Sequence, residues 1–223
     1  MNALYRSLCA TSLLTLSLCA HALSDQEAAD RGISQQITPT KPGLHFVING
    51  GMTYGGDTIA TAVYTNGMTT DIKGGALIQF GAGALYQFEN RPVALMLSAN
   101  YHFHSAMGQN GDITFDRMPI EALAYYTGKE RFRIGGGVRF VNSPEFNASV
   151  NGISDKIIFD NSTGLVAEIG YQLSSQGWLN FRFVSEKYNA NHIVWNGGAV
   201  TSLVGLTVPV SGSHLGVNFT YEF

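Results

Sequence analysis

The stretch "YHFH" sets His102 and His104 two residues apart, and a third histidine, His214, stands beside Ser213. Neutral imidazoles at that spacing on one strand can share a metal ion, and a serine near a histidine and an acid is what nucleophilic hydrolysis requires. Geometry opposes both. The spacing supplies no third ligand, and Ser213 and His214, adjacent on a strand, point to opposite faces. No catalytic residue, metal ligand or cofactor is therefore assigned, and the histidines are expected to be ordinary hydrogen-bonded ones. Cys9 and Cys19 both lie in a segment expected to be removed, which leaves no thiol for disulfides or thiolate chemistry.

The second chemistry-bearing set is ionic. Arg117, Arg131, Arg133, Arg139 and Arg182, with Glu121, Glu168, Glu186 and Glu222, stand at alternate positions in stretches whose other positions are apolar. A period of two puts all of them on one face of extended strands. Eight such stretches of roughly ten residues follow one another, the length a tilted membrane strand needs. The first sets Leu44, Phe46 and Ile48 against His45, Val47 and Asn49. The fourth sets Met118, Ile120 and Ala122 against Arg117 and Glu121, and the last sets Val217, Phe219 and Tyr221 against Asn218, Thr220 and Glu222.

Connections between the stretches alternate in length. "ENR", "TGKE" and "SSQG" are short, whereas the stretches beginning "GGDTIATAVY", "SAMGQNGDIT" and "NSPEFNASVNG", and the one before the final strand, are long loops. Aromatic residues gather at the two ends of the apolar face: Tyr86, Phe88, Tyr126, Phe132, Tyr171, Trp178, Tyr221 and Phe223 at the short-turn end, and Tyr101, Phe103, Phe140 and Phe183 at the other. Two girdles are what a membrane interface selects. The fold expected is all-β, an eight-stranded antiparallel up-and-down transmembrane β-barrel. A soluble barrel would also alternate, but would put its charges outside.

Composition agrees. Only 13% of residues are charged, against roughly 25% in soluble domains. The formal charge of −3 suggests no nucleic-acid partner. No later segment holds 18 consecutive apolar residues, so the remaining spanning solution is a closed sheet. Residues 1–22 read as a secretory signal, with Arg6, an apolar stretch and "AHA" before Leu23; a lipidated Cys19 is the competing reading, disfavoured by Leu18. Residues 23–42 form a polar periplasmic lead, and residues 43–223 the barrel.

A strand of alternating apolar residues closing on Tyr221, Glu222 and Phe223 resembles the terminal signal of Gram-negative outer-membrane barrels. The layout over residues 43–223 resembles the small OmpA-like barrels, and "YGGDT" and "PIEALAYY" look like uncharacterised proteobacterial members of that type. The resemblance implies the cell outer membrane as location, with lipid and lipopolysaccharide around a monomer. It also implies recognition by the barrel assembly machinery through Phe219, Tyr221 and Phe223. No periplasmic peptidoglycan-binding domain is expected after residue 223, a departure from the larger OmpA-like proteins.

A barrel of eight strands is just wide enough to be filled by its own side chains. The Arg and Glu residues are expected to pair within it as an ionic plug, because unpaired charges there would be costly. That favours a structural or surface-interaction protein. A narrow pore for ions or small solutes is the alternative, and a ligand or adhesion site on the loops is the third reading. "YGGDT" reads as a turn in which Asp57 accepts backbone hydrogen bonds. The acceptor motifs at Asn147 and Asn161 are uninformative in a bacterial chain.

Overall fold

The computed structural model of the chain describes residues 40–64, 66–108, 111–194, 196 and 209–223, so the signal and most of the lead lie outside the described residues. Its strands in chain order are β1 (Gly43–Gly55), β2 (Thr58–Val63), β3 (Thr69–Lys73), β4 (Leu77–Gln87), β5 (Val93–Gly108), β6 (Gly111–Lys129) and β7 (Phe132–Val150). There follow β8 (Ile153–Phe159), β9 (Ser162–Gln172), β10 (Gly177–Ser185), β11 (Lys187–Tyr188), β12 (Ala190–Val194), β13 (Val210–Ser211) and β14 (His214–Glu222). Eight of them, β1, β4, β5, β6, β7, β9, β10 and β14, pair antiparallel around a ring that the β7–β9 and β1–β14 ladders close.

Alternation places the side chains as expected. On β5, Ala94, Met96, Ser98, Asn100 and His102 are buried within the ring while Leu95 and Leu97 stand outside. The outward band is apolar throughout: Phe46 is 68% exposed and Leu215 66%, a surface that water would not tolerate but acyl chains would. Trp178 departs from the expected girdle. It shares parity with Asn180 and Arg182, and its ring is buried inside the barrel.

The two middle long connections are largely strand. β5 runs to Gly108 and β6 begins at Gly111, so the described residues of the loop expected over 105–114 are strand, paired from Ser105↔Thr114 to Gly108↔Gly111. Likewise β7 continues to Val150 and turns back through Asn151 (φ 53°) and Gly152 (φ 79°) into β8. Two successive positive φ values are what a tight two-residue hairpin needs, and Asn-Gly supplies them at least cost. β12 then pairs with β8 and widens this extension.

Above a bulge in β7 the extension has an apolar core of its own. Between the pairs Met118↔Asn142 and Asp116↔Glu145 the β7 strand carries an extra residue, with Ser143 at φ 41°. The inward parity of β7 thereby passes from Arg133, Arg139 and Val141 to Phe146 and Ala148. Phe115, Phe146, Ile157 and Phe159, with Ile59 and Ile72 from the β2–β3 hairpin, form an apolar core beyond the polar lumen. The ring of Phe115 meets those of Phe159 and Tyr188 edge-on at 5.7 and 5.6 Å.

On the outer face of the extension Lys156 pairs with Glu145 at 2.8 Å, and the Asn147 amide donates to the same carboxylate at 2.8 Å. These two bonds hold the Glu145 carboxyl below its ordinary range. Its contribution to the extension is therefore present above the ordinary Glu pKa and is lost only as pH falls through the depressed value.

Phe159→Ala should cost the extension about 3 kcal/mol. Hydrogen exchange should accelerate in β8 and the upper part of β7 while the lipid-embedded strands keep their protection, and unchanged exchange in β8 would refute the separate core.

Candidate functional site

The lumen is layered. At the short-turn end Arg133 from β7 donates to Glu222 of β14 at 2.8 Å, and its guanidinium lies between the rings of Tyr125 (4.5 Å) and Trp178 (4.4 Å). Asn180 accepts from Arg133 Nε and Nη2 at 3.2 and 2.9 Å, and Thr40 donates to the second oxygen of Glu222 at 2.8 Å. Tyr125 takes its place through Gly135, its cross-strand partner. A Cβ on Gly135 would come within 2.3 Å of the tyrosine ring.

Glu121 on β6 organises the middle layer. One of its oxygens accepts from Arg139 at 2.8 Å and the other from Arg182 at 2.7 Å. Arg139 also donates to Gln79 at 3.0 Å, while Glu168 takes the Tyr125 hydroxyl at 2.8 Å and lies 3.8 Å from Arg182 Nε. Above, Arg139 Nε lies 3.0 Å from Glu186, an ion pair too bent to be a hydrogen bond, and Tyr188 donates to Glu186 at 2.6 Å. Glu121 and Arg139 are 1% and 0% exposed, so neither charge reaches water. Burial of that depth is tolerated only because each charge has an opposite charge and hydrogen bonds.

Two of the expected members stand apart. Arg131 occupies the turn between β6 and β7 with φ 59°, is exposed, and donates to the Tyr171 hydroxyl at 3.3 Å. Its parity with Arg133 suggested the lumen, but alternation ends where the strand does. Arg117 does face the lumen, yet it meets no carboxylate at ion-pair distance among the described residues. Its guanidinium donates to the carbonyls of Gly74 and Ala76 and lies 4.7 Å from the ring of Phe115. Of the uncharged members, Tyr125 shares the alternation of Arg117 and Glu121 and was legible as facing inward, whereas Trp178 and Tyr188 were missed.

The histidines come together across the lumen, although β5 and β14 are not neighbours in the sheet. The rings of His102 and His214 lie edge-on at 5.2 Å. Among the described residues no three His, Cys, Asp or Glu side chains are grouped so as to hold a metal ion. Ser213 Oγ donates to the Glu186 carbonyl at 3.3 Å, and His214 Nδ1 donates to Gly212 O at 2.8 Å. Asp57 of "YGGDT" accepts from Ser211 N at 2.8 Å, tying the first long connection to the last.

No protein-family model matches the chain, and no curated protein is similar to it. Solved structures do match. Ail, the attachment invasion locus protein of Yersinia pestis, solved with the heparin analogue sucrose octasulfate, is 11% identical with a TM-score of 0.50, over 82% of this chain and 100% of that one. Neisserial surface protein A is 10% identical with a TM-score of 0.48, over 81% and 97%. OprG of Pseudomonas aeruginosa is 21% identical with a TM-score of 0.44, over 84% and 99%. Such identities speak to fold. The chain is an eight-stranded transmembrane β-barrel of the Gram-negative outer-membrane type, carrying the lipid-facing apolar band that location demands.

Glu121→Ala should destabilise the barrel by about 3 kcal/mol, because Arg139 and Arg182 lose their shared partner. Arg131→Ala should shift stability by less than about 0.5 kcal/mol. Urea midpoints of the refolded proteins in one lipid would check both, and equal midpoints for the two variants would contradict this layout.

Proposed function

We propose that the protein is a closed outer-membrane barrel, plugged by its Arg and Glu residues, that carries a rigid extracellular sheet for contact with the surroundings of the cell. The observation that carries this reading is the burial of matched charges in the lumen beneath an apolar core. Ions crossing would have to displace both the Glu121 fork and the packed rings of Phe115 and Phe159. The extension supplies the interaction half of the reading: its exposed surface mixes Glu145, Asn147, Lys156 and Ser154 with the apolar side chains of Ile153, Ile193 and Val194. Function borne by such projections on a rigid scaffold is common. The attachment protein of the same fold offers a precedent at that level, and nothing in this reading calls for catalysis.

In a planar bilayer the wild-type barrel is expected to be silent, and a Glu121→Ala, Glu168→Ala variant to flicker open. Steady wild-type conductance would overturn the plug and put the narrow pore in first place.

Assembly is read from the last strand. β14 pairs with β1 on one side and β10 on the other, and Phe223 N donates to Phe46 O at 2.9 Å. We take Phe219, Tyr221 and Phe223 as the stretch that the assembly machinery engages, and the product as a monomer in lipid and lipopolysaccharide. Phe223→Ala should reduce heat-modifiable barrel in the outer membrane several-fold; undiminished barrel would refute that role.

A further inference from the structure

The end of the chain has two faces. Phe219 and Tyr221, with Phe223 just past β14, point outward, while Asn218, Thr220 and Glu222 between them are buried in the lumen. Of the inward three, Glu222 alone is charged. One of its oxygens accepts from Arg133 Nη1 on β7 at 2.8 Å, and the other from Thr40 Oγ1, just before β1, at 2.8 Å. Glu222 therefore joins the last strand both to a strand across the lumen and to the approach of β1, the strand against which β14 closes the ring.

Arg133 meets no other carboxylate at ion-pair distance among the described residues. The remaining Arg–Glu pairs of the lumen are made without β14: Glu121 of β6 takes Arg139 of β7 and Arg182 of β10, Glu168 of β9 stands beside Arg182, and Glu186, just after β10, beside Arg139. Those charges match one another before the last strand arrives. Arg133 does not, because Asn180 of β10, which accepts from its Nε and Nη2, is neutral. A buried cation whose partner is missing is strongly destabilising, whereas the same cation paired is tolerated.

The neighbours of this pair depend on closure in the same way. Asn180 Nδ2 donates to Thr220 Oγ1 on β14 at 2.9 Å, so the residue that positions Arg133 also contacts the last strand. Along the backbone, Glu222 N donates to Gln176 O at 2.8 Å and Phe223 N to Phe46 O at 2.9 Å, which places Glu222 between the β9–β10 turn and β1. Closing the seam and neutralising Arg133 are thus one event. Until it happens, β14 has an unpaired edge and Arg133 has no counter-charge.

We propose that Glu222 is the release element of the terminal strand: its capture of Arg133 and Thr40 draws β14 off the assembly machinery and into the barrel wall. The proposal rests on the reading that the machinery engages Phe219, Tyr221 and Phe223. It goes further by giving the inward face of the same strand the opposite task, that of ending the engagement.

The test is site-specific photo-crosslinking of the full precursor in a Gram-negative host, with benzoylphenylalanine in place of Val217, an outward neighbour of the engaged residues. In the wild type the crosslink to the machinery should appear early and decay as heat-modifiable barrel accumulates. Glu222→Gln and Arg133→Gln should each form the crosslink at the wild-type level and hold it several-fold longer. The double variant should hold it no longer than either single one, since both remove the same interaction. Thr40→Val, which removes one hydrogen bond, should lengthen it less. Glu121→Ala, which disturbs the lumen without touching β14, should leave the lifetime as in the wild type. Equal decay in the wild type and in the Glu222 and Arg133 variants overturns the release role, as does an equal lengthening in Glu121→Ala, which would make Glu222 a contributor to general stability. If the Glu222 and Arg133 variants are degraded before a lifetime can be read, Thr40→Val decides, and a wild-type lifetime there overturns the proposal. Absence of any crosslink in the wild type overturns the assembly reading itself, and the release role with it.

Discussion

A backbone in hydrocarbon has no water to bond with, so every N–H and C=O must find its partner inside the sheet. In this chain the condition is completed at the β1–β14 seam, nine residue pairs from Val47↔Glu222 to Gly55↔His214. Closing the ring there fixes the rest. Alternate side chains face acyl chains, the others face one another in a space with room for little water, and the second group therefore has to be polar, matched and densely bonded. The Glu121 fork is a consequence of closure as much as a cause of stability.

Beyond the membrane the same strands obey the opposite rule. Above the bulge at Ser143 the interior is Phe115, Phe146 and Phe159, and the exterior is Glu145, Asn147 and Lys156. An extra residue in β7 changes which of its side chains face inward, whereas β6 keeps one parity from Glu121 and Arg117 to Phe115 and Ile113, so the change of interior is written in the residue types while the pairing of β6 with β7 is kept. The strands thus pass from one solvent to another, and the polarity of each face changes with it.

Much of this was legible in the sequence, because a period of two is a local property: it separates Leu95 and Leu97 from Ser98 and Asn100 without knowledge of any partner strand. What was not legible depends on register or on chain reversal. Glu121 meets both Arg139 and Arg182 only through the stagger of three strands. Arg131 shares parity with Arg133 but sits where a positive φ turns the chain. The strand extensions read as loops because they are long and rich in Gly, Asn, Asp and Ser, although Asn151 and Gly152 carry a hairpin signature. "YGGDT" contributes more than a turn, since Asp57 bonds a residue 154 positions away.

The lengths of β6 and β7, 19 residues each, have a consequence of scale. At about 3.3 Å per residue such a strand is roughly 60 Å long, and tilted by about 40° it rises about 45–50 Å, against an apolar band of about 25 Å. The hairpin tip at Asn151 therefore stands on the order of 20 Å clear of the hydrocarbon, on a stalk that continues unbroken from the opposite leaflet. A load applied there has a long lever arm on a short, stiff foundation, and the barrel's wall, not a hinge, must carry the torque.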